Sequence, residues 1–261
     1  MGNFIKHYSP DLQGQSRGRR LFSYCTPEKC FSRKMRYRKK DGLNASLSGS
    51  RCEIIIKQVI HLLRRLKKSN VDVQNDWKLL VFFIGSNDQC EVSCSSDYDW
   101  NSYEKNLIEA LNILKQFVPR LIVNIVENTR MSNIRFLRED NSCRKQRKML
   151  KNQCRCAFKG TESIESMDMM FKKYNEVIAK VKMAFNNENN FAVISDPILT
   201  NQIPKNSFFS KLDCFHPSAF GHSILAIGMW NNLFKKYDEK LSKFTGEKVF
   251  CPTDADRIRI D

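Results

Sequence analysis

Three short apolar runs, separated by segments of helical length, constrain the fold of this chain more than any other feature. The runs occupy residues 77–84, 121–126 and 191–195. They lack the strict apolar–polar alternation of a strand with one solvent-exposed face, so each run predicts a strand that is buried on both faces. Strands of this kind belong to parallel sheets that are covered by helices. The sequence therefore predicts an α/β fold with a parallel sheet.

The segments around these runs carry apolar residues at helical spacing. In the first of them Ile55, Val59, Leu62 and Leu66 would share one helix face. Ser218 precedes the last segment and is a suitable N-cap residue. Predicted helices cover residues 51–68, 101–117, 162–186 and 219–236. In a parallel sheet flanked by helices, ligands bind at the carboxyl ends of the strands, so the residues that follow each strand are the first candidates for chemistry.

Composition narrows the class of protein. The chain has 261 residues, which fits one large domain or two small ones, and 41% of them are hydrophobic, which is enough for a packed core. Its formal net charge of +16 favours anionic partners such as lipid headgroups, acidic proteins or nucleic acid. No RNA-recognition, zinc-finger or helix-turn-helix pattern accompanies the charge, so we do not expect nucleic acid as the partner. Two basic segments interrupt the pattern of strands and helices: residues 22–42, predicted to be an insertion, and the cysteine-containing residues 130–160.

The cysteines point to an oxidising compartment. The chain has ten cysteines and four histidines, and none of the close cysteine pairs has zinc-ribbon spacing. We therefore expect disulfides in an exported domain and no metal site. Residues 1–20, however, contain no apolar core of a signal peptide, and no stretch is apolar enough for a membrane helix. Two alternatives remain open at this point: a cytosolic domain with free thiols, or a chain whose true N-terminal part is missing.

Two short polar motifs stand next to predicted elements: one follows the first predicted strand, and the other precedes the last predicted helix. Gly85-Ser86-Asn87-Asp88 ends the first apolar run, and Asp213-Cys214-Phe215-His216 stands just before the last helix. An aspartate and a histidine three residues apart suit a general base and the carboxylate that orients it. Taken singly, each motif also fits an ordinary structural role: a strand-ending turn in the first case, and a surface histidine with a helix-capping aspartate in the second.

Together these motifs resemble the SGNH (GDSL) hydrolases, and within them the membrane-associated phospholipase B group. The similarity covers residues 3–21 and 43–255. Further stretches that carry it are Asp76–Asp88, Val118–Asn124, Leu43–Arg51, Asn206–Phe209, Gly221-His222, Trp230–Asn232 and Cys251-Pro252.

The resemblance implies a fold, a reaction and a set of residues. It implies an SGNH-like parallel sheet and hydrolysis of lipid carboxylic esters, with phospholipid and lysophospholipid as substrates and no cofactor. His216 is then the general base, Asp213 orients it, and Gly49 and Asn87 donate to the oxyanion. It also implies an extracellular or cell-surface location at a membrane, to whose anionic surface the basic chain could bind.

One essential part of the family pattern is absent. No Gly-Asp-Ser sequence, which would carry the nucleophilic serine on the first strand, occurs in the chain. Ser48 and Ser50 flank Gly49, but neither is expected to replace the nucleophile. We therefore expect that the first, central strand and its serine lie upstream of this chain, and that the chain alone is inactive. The alternative is a catalytically dead lipid- or protein-binding module that retains the fold.

Overall fold

The computed structural model describes residues 1–17, 38–136, 151–185, 190–201 and 206–260, without the side chains of residues 38, 39, 136 and 206. Residues 22–37 of the predicted basic insertion lie outside these ranges. The same is true of residues 137–150, which form the centre of the predicted cysteine-containing segment.

A parallel sheet forms the centre of the described structure. Its strands are β1 (Lys78–Phe82), β2 (Leu121–Val126) and β3 (Phe191–Asp196), in the order β1-β2-β3. Both pairings are parallel, with Leu80 opposite Val123 and Val123 opposite Val193. The strands coincide with the three apolar runs, so the predicted parallel sheet is confirmed.

Helices connect and cover the strands, and all four predicted helices are present with slightly shorter bounds. Ser218 caps the last one as predicted, since its Oγ accepts a hydrogen bond from the N–H of Gly221 at 3.0 Å. The α-helices are α1 (Gly2–Tyr8), α2 (Arg38–Asp41), α3 (Ile55–Leu66), α4 (Ser86–Glu91), α5 (Ser102–Phe117), α6 (Thr161–Ala184) and α7 (Ala219–Asn232). Short 3₁₀ turns lie at Cys52–Ile54, Met131–Phe136, Arg155–Phe158, Asn206–Phe208 and Tyr237–Glu239.

The sheet packs between two helical layers. On one face Val123 and Val193 join the main core, to which α3, α5 and α6 contribute Val59, Leu111 and Ile178. On the other face, Ile122 and Ile194 pack with Trp230 of α7 and with Leu233, which follows α7. Phe4 and Ile5 of α1 belong to the same cluster. Alternate residues of one strand therefore serve different layers, which is why the strands are apolar throughout.

The two edges of the described sheet differ. All six residues of β3 are buried, whereas no residue of β1 is, and Val81 is 40% exposed. The prediction that the first apolar run is a fully buried strand is therefore wrong. The cause is its position: β1 lies at an edge of the described sheet. The whole strand, together with α1, α3 and residues 252–260, lines a cleft of about 2160 Å³.

Two disulfides hold the region that follows β1. Cys90 of α4 is bonded to Cys154, and Cys94 is bonded to Cys156. The prediction of disulfides is thus confirmed, and each bridge links positions more than 60 residues apart in the chain. None of the helices within the described ranges has both the length and the apolar character needed to cross a membrane.

Candidate active site

The segment before α7 folds into a closed loop that carries Asp213 and His216. Phe209 and Pro217 form a β-bridge at its base. Inside the loop, the N–H of Ser210 donates to the carbonyl of His216, and the N–H of Cys214 donates to the carbonyl of Ser210, both at 2.8 Å. Cys214 has the left-handed φ of 54° that closes the turn. Local backbone bonds therefore define the course of the loop, and Cys214 within it is also disulfide-bonded.

Asp213 and His216 are in direct contact, as the sequence predicts. The Oδ2 atom of Asp213 lies 2.5 Å from Nδ1 of His216, and its Oδ1 accepts the N–H groups of Phe215 and His216 at 3.1 Å each. Asp213 is buried, while His216 is exposed. A carboxylate at Nδ1 keeps the proton on that nitrogen and leaves Nε2 as the basic one, the arrangement required of a general base.

The surroundings of Asp213 favour its ionised form. Burial would raise the pKa of Asp213, but the hydrogen bonds from His216 and from the backbone N–H groups of Phe215 and His216 outweigh it and hold the pKa below its ordinary value. The aspartate is therefore a carboxylate at neutral pH and can stabilise a protonated imidazole. Nearby, burial and then the charge of His216 lower the pKa of His222 on α7, so this second histidine favours its neutral form.

Gly49, on the loop before the 3₁₀ turn Cys52–Ile54, and Asn87, in α4 after β1, are linked through Ser50. Gly49 has φ of 71° in a turn where the N–H of Ser50 donates to the carbonyl of Leu47 at 3.3 Å. Asn87, in the first turn of α4, donates from Nδ2 to the carbonyl of Ser50 at 2.9 Å. Only one of the two N–H bonds of the amide is needed for this contact, so the other can serve a ligand. The two residues predicted to donate to an oxyanion thus belong to one connected unit.

Gly85 allows the chain to turn sharply from β1 into α4. Its φ is 122°, and a Cβ atom at this position would lie 2.2 Å from Oδ1 of the buried Asn128. A larger residue would therefore push α4, and Asn87 with it, away from the end of the sheet.

A shared apolar cluster connects the two loops. The ring of Phe215 lies edge-on to the imidazole of His216, with the centroids 5.0 Å apart. Phe215 also packs against a cluster that contains Cys90 of α4, Cys154, Cys156 and Met167. Cys90 lies three residues after Asn87 in α4. The disulfide-bonded cluster therefore links the loop that carries His216 to the helix that carries Asn87.

The remaining candidate nucleophiles are poorly placed for the task. Burial, and then the neighbouring Asp88, raise the pKa of the Cys52 thiol to about 12, which keeps it protonated. Ser50 is buried, and its Oγ accepts a hydrogen bond from Nε2 of Gln58 at 2.8 Å. Within the described ranges, no group of three histidine, cysteine or acidic residues could hold a metal ion.

Comparison with known proteins yields one family model and a set of relatives. The model of the GDSL-like lipase/acylhydrolase family matches residues 10–229, which include all four candidate site residues. Membrane-associated phospholipase B1 of Homo sapiens is 27% identical over 271 aligned positions, covering 97% of this chain. The Mus musculus protein of the same name is 28% identical over 96% of the chain.

The chain corresponds to only a small part of those relatives. It covers 18% of the human protein and 17% of the mouse protein. No solved structure matches the chain significantly.

Proposed function

The chain belongs to the GDSL-like lipase/acylhydrolase family, and from this we propose that it forms most of a serine hydrolase domain that cleaves carboxylic esters of lipids. The observation that carries the proposal is the contact between Asp213 and Nδ1 of His216 in a loop that backbone hydrogen bonds close. We treat residues 1–261 as one hydrolase domain.

In this proposal His216 transfers the proton, and Asp213 orients and stabilises the imidazole. Nε2 of His216 takes the proton from a serine hydroxyl while the serine Oγ forms a bond to the ester carbonyl carbon. When the tetrahedral intermediate collapses, the same proton leaves with the alcohol, and water repeats the sequence to release the acid. Asp213 stabilises the imidazolium that forms between these steps.

Gly49 and Asn87 are proposed to stabilise the negative oxygen of the intermediate, through the backbone N–H of Gly49 and the second N–H of the Asn87 amide. Such donors act on charge that exists only in the transition state, and removing one costs about 3 kcal/mol in other hydrolases. The bond from Asn87 to the Ser50 carbonyl supports the assignment because it holds both donors in one unit.

The nucleophilic serine is proposed to come from a strand upstream of these 261 residues that pairs with the free edge of β1. The half-exposed β1 and the cleft of about 2160 Å³ beside it support this position. In a parallel sheet the carboxyl ends of neighbouring strands lie side by side. A residue that follows a strand paired with β1 would therefore be next to Asn87, which follows β1 itself.

Phospholipids and lysophospholipids are the proposed substrates. This substrate class is supported by the human and mouse relatives, both of which are membrane-associated phospholipase B1. The net charge of +16 fits an anionic membrane surface, and the disulfides fit an extracellular or cell-surface location.

Fluorophosphonate labelling tests the proposal, because the reagent reacts only with an activated serine. We would capture the natural protein with an antibody against residues 151–185. A labelled band heavier than 30.6 kDa would support a hydrolase completed by an upstream strand. An unlabelled band near 30.6 kDa would instead favour the catalytically dead lipid- or protein-binding module. In the serine-bearing form, His216→Ala should abolish labelling, while His222→Gln should retain it.

Asn87→Ala tests the oxyanion assignment separately. In the serine-bearing form it should lower kcat by about 100-fold with KM little changed, because the amide acts on the transition state. Asn101→Ala, at an exposed asparagine before α5, is the control and should leave both constants unchanged. An unchanged kcat in Asn87→Ala would refute the assignment.

A further inference from the structure

The carboxylate of Asp88 is completely buried although it takes no part in the proposed chemistry. It lies in α4 next to Asn87 and is 0% exposed. A buried carboxylate is costly unless several donors satisfy it. Burial raises the pKa of Asp88, while hydrogen bonds from Cys52 and two tyrosines oppose the rise. The hydrogen-bond donors around Asp88 therefore indicate which part of the fold the buried carboxylate holds.

One partner of the Asp88 carboxylate is the backbone at the end of the loop that contains Gly49, which leads into the 3₁₀ turn Cys52–Ile54 and is called the oxyanion loop below. Both carboxylate oxygens face the N–H of Cys52, at 3.1 Å and 3.2 Å. Cys52 begins the 3₁₀ turn directly after the loop that contains Gly49. The adjacent Asn87 holds the carbonyl of Ser50 at 2.9 Å. Two consecutive residues of α4 therefore bond the same loop: Asn87 donates to the carbonyl of Ser50, and Asp88 accepts the N–H of Cys52.

Two tyrosine hydroxyls also bond the carboxylate. The hydroxyl groups of Tyr98 and Tyr174 donate to Oδ1 of Asp88 at 3.3 Å and 3.2 Å, and they also contact each other. Tyr174 is on α6, and its ring stacks on Tyr103 of α5 with the centroids 3.8 Å apart. The position of Asp88 is thus determined by two long helices of the main core.

We propose that Asp88 is a positioning residue, which holds the oxyanion loop at Cys52 so that Gly49 and Asn87 keep the separation needed to bind one oxyanion. This inference rests on the proposed function, since it takes Gly49 and Asn87 as the donors. Asp88 itself touches no substrate. The proposed link to the loop is the N–H of Cys52, which bonds both carboxylate oxygens, although the thiol of Cys52 also contacts the carboxylate.

Loss of this contact has a distinctive kinetic signature. A loop that shifts by about 1 Å misplaces the donors, and such misplacement can cost about 100-fold in rate. Because the donors serve the transition state more than the ground state, kcat should fall while KM stays nearly constant. A general loss of structure would instead lower the amount of active protein.

Asp88→Asn is the first test. The asparagine amide has one acceptor oxygen instead of two and places an NH₂ group where the other oxygen faced the N–H of Cys52 or the tyrosine hydroxyls, so the loop contact is weakened while the size of the side chain is kept. In the serine-bearing form we expect kcat to fall about 10- to 100-fold. Asp168→Asn is the matched control. Its carboxylate is also paired with two side chains, Arg130 and Ser132, but it does not contact the loop, and its kcat should be unchanged.

A pair of variants at Cys52 isolates the N–H itself. Proline suits the first position of a helical turn, and Arg51 already has the extended φ of −109° and ψ of 174° that a residue before proline requires. Cys52→Pro removes the N–H and the thiol, whereas Cys52→Ala removes only the thiol. Cys52→Pro should reproduce the fall in kcat, and Cys52→Ala should not.

Hydrogen exchange of the peptide 47–54 gives a readout that does not need activity. Asp88→Asn and Cys52→Pro should both exchange faster there than wild type, with Cys52→Ala unchanged. Unaltered exchange in both variants, a loosened loop with wild-type kcat, or an equal loss of kcat in Cys52→Ala would each overturn the inference. If Asp88→Asn does not fold, the proline variant decides. If the wild-type serine-bearing form hydrolyses no ester, the proposed function fails, and exchange still shows whether Asp88 holds the loop.

Discussion

At the residue scale, Asp213 performs two tasks with two different oxygens. Oδ1 accepts the backbone N–H groups of Phe215 and His216, and so shapes the loop. Oδ2 contacts Nδ1 of His216, and so sets its tautomer. Because the tasks are divided between atoms, a substitution can remove the second and keep the first.

Asp213→Asn is such a substitution. Its amide oxygen can still accept the two backbone N–H groups, but its amide nitrogen donates to Nδ1 and forces the histidine proton onto Nε2, where the base must be unprotonated. In the serine-bearing form we expect kcat to fall about 1,000-fold or more, as for the equivalent change in a serine protease. The thermal midpoint should change little. A midpoint that falls by more than about 10 °C would mean that the carboxylate is chiefly structural.

The sequence pointed to some of the candidate site residues and not to others, for a physical reason. Asp213 and His216 are three residues apart, so their contact follows from local geometry. Asn87 was recognisable because it follows a strand, and Gly49 only through the family resemblance. The role of Asp88 depends on partners 36 and 86 positions away along the chain, Cys52 and Tyr174. No local pattern records such a contact.

At the element scale, the end of β3 contains a carboxylate that the fold tolerates at a cost. Asp196 is buried at the last position of β3, and its Oδ1 accepts from Nδ2 of Asn232 on α7 at 2.7 Å. Burial raises the pKa of Asp196 to about 6, and the bond from Asn232 and the charge of Lys240 offset this only in part. The contact joins α7 to the sheet but penalises the ionised form.

Asp196→Asn should therefore change the pH dependence of stability. Since the pKa rises from 3.8 in the unfolded chain to about 6 in the folded one, the folded state binds more protons between these values. The wild-type free energy of unfolding should fall as pH rises through this window, by about 3 kcal/mol at most. The variant lacks this component, so its advantage over wild type should grow from pH 4 to pH 7 in urea titrations.

An exposed carboxylate provides the control for that experiment. Asp238→Asn, in the 3₁₀ turn Tyr237–Glu239, should parallel the wild-type curve throughout. A constant offset between Asp196→Asn and wild type from pH 4 to pH 7 would show that the carboxylate keeps its ordinary pKa in the fold.

Elements were easier to predict from the sequence than their burial. Periodicity identified every strand of the described sheet and the four long helices, because each element's own side chains define it. It could not show that β1 lies at an edge, since that depends on which strands are its neighbours. The run at 77–84 has the composition of a strand covered on both sides, yet Trp77, Val81 and Phe83 are exposed.

At the scale of the whole molecule, an uncovered edge coexists with a high positive charge. β3 is fully buried, so the unprotected edge of the described sheet is β1. Backbone groups at such an edge can pair with another chain, and exposed apolar side chains strengthen the contact. The net charge of +16 opposes association through repulsion, but salt screens it over about 8 Å at physiological ionic strength. We therefore expect the 261-residue chain to self-associate through β1 as salt is added.

Val81→Lys tests this expectation in the middle of the edge strand. A lysine at this 40% exposed position would place like charges against each other when two copies pair along β1. Light scattering of the 261-residue chain in about 0.15 M salt should show much less association for the variant than for wild type. Met183→Lys, at an exposed position on α6, a helix that packs against β3, adds the same charge and should associate like wild type. Equal suppression by both variants would mean that net charge, and not the edge of β1, controls association; if only Val81→Lys suppresses it, the edge of β1 is the surface through which the chain associates.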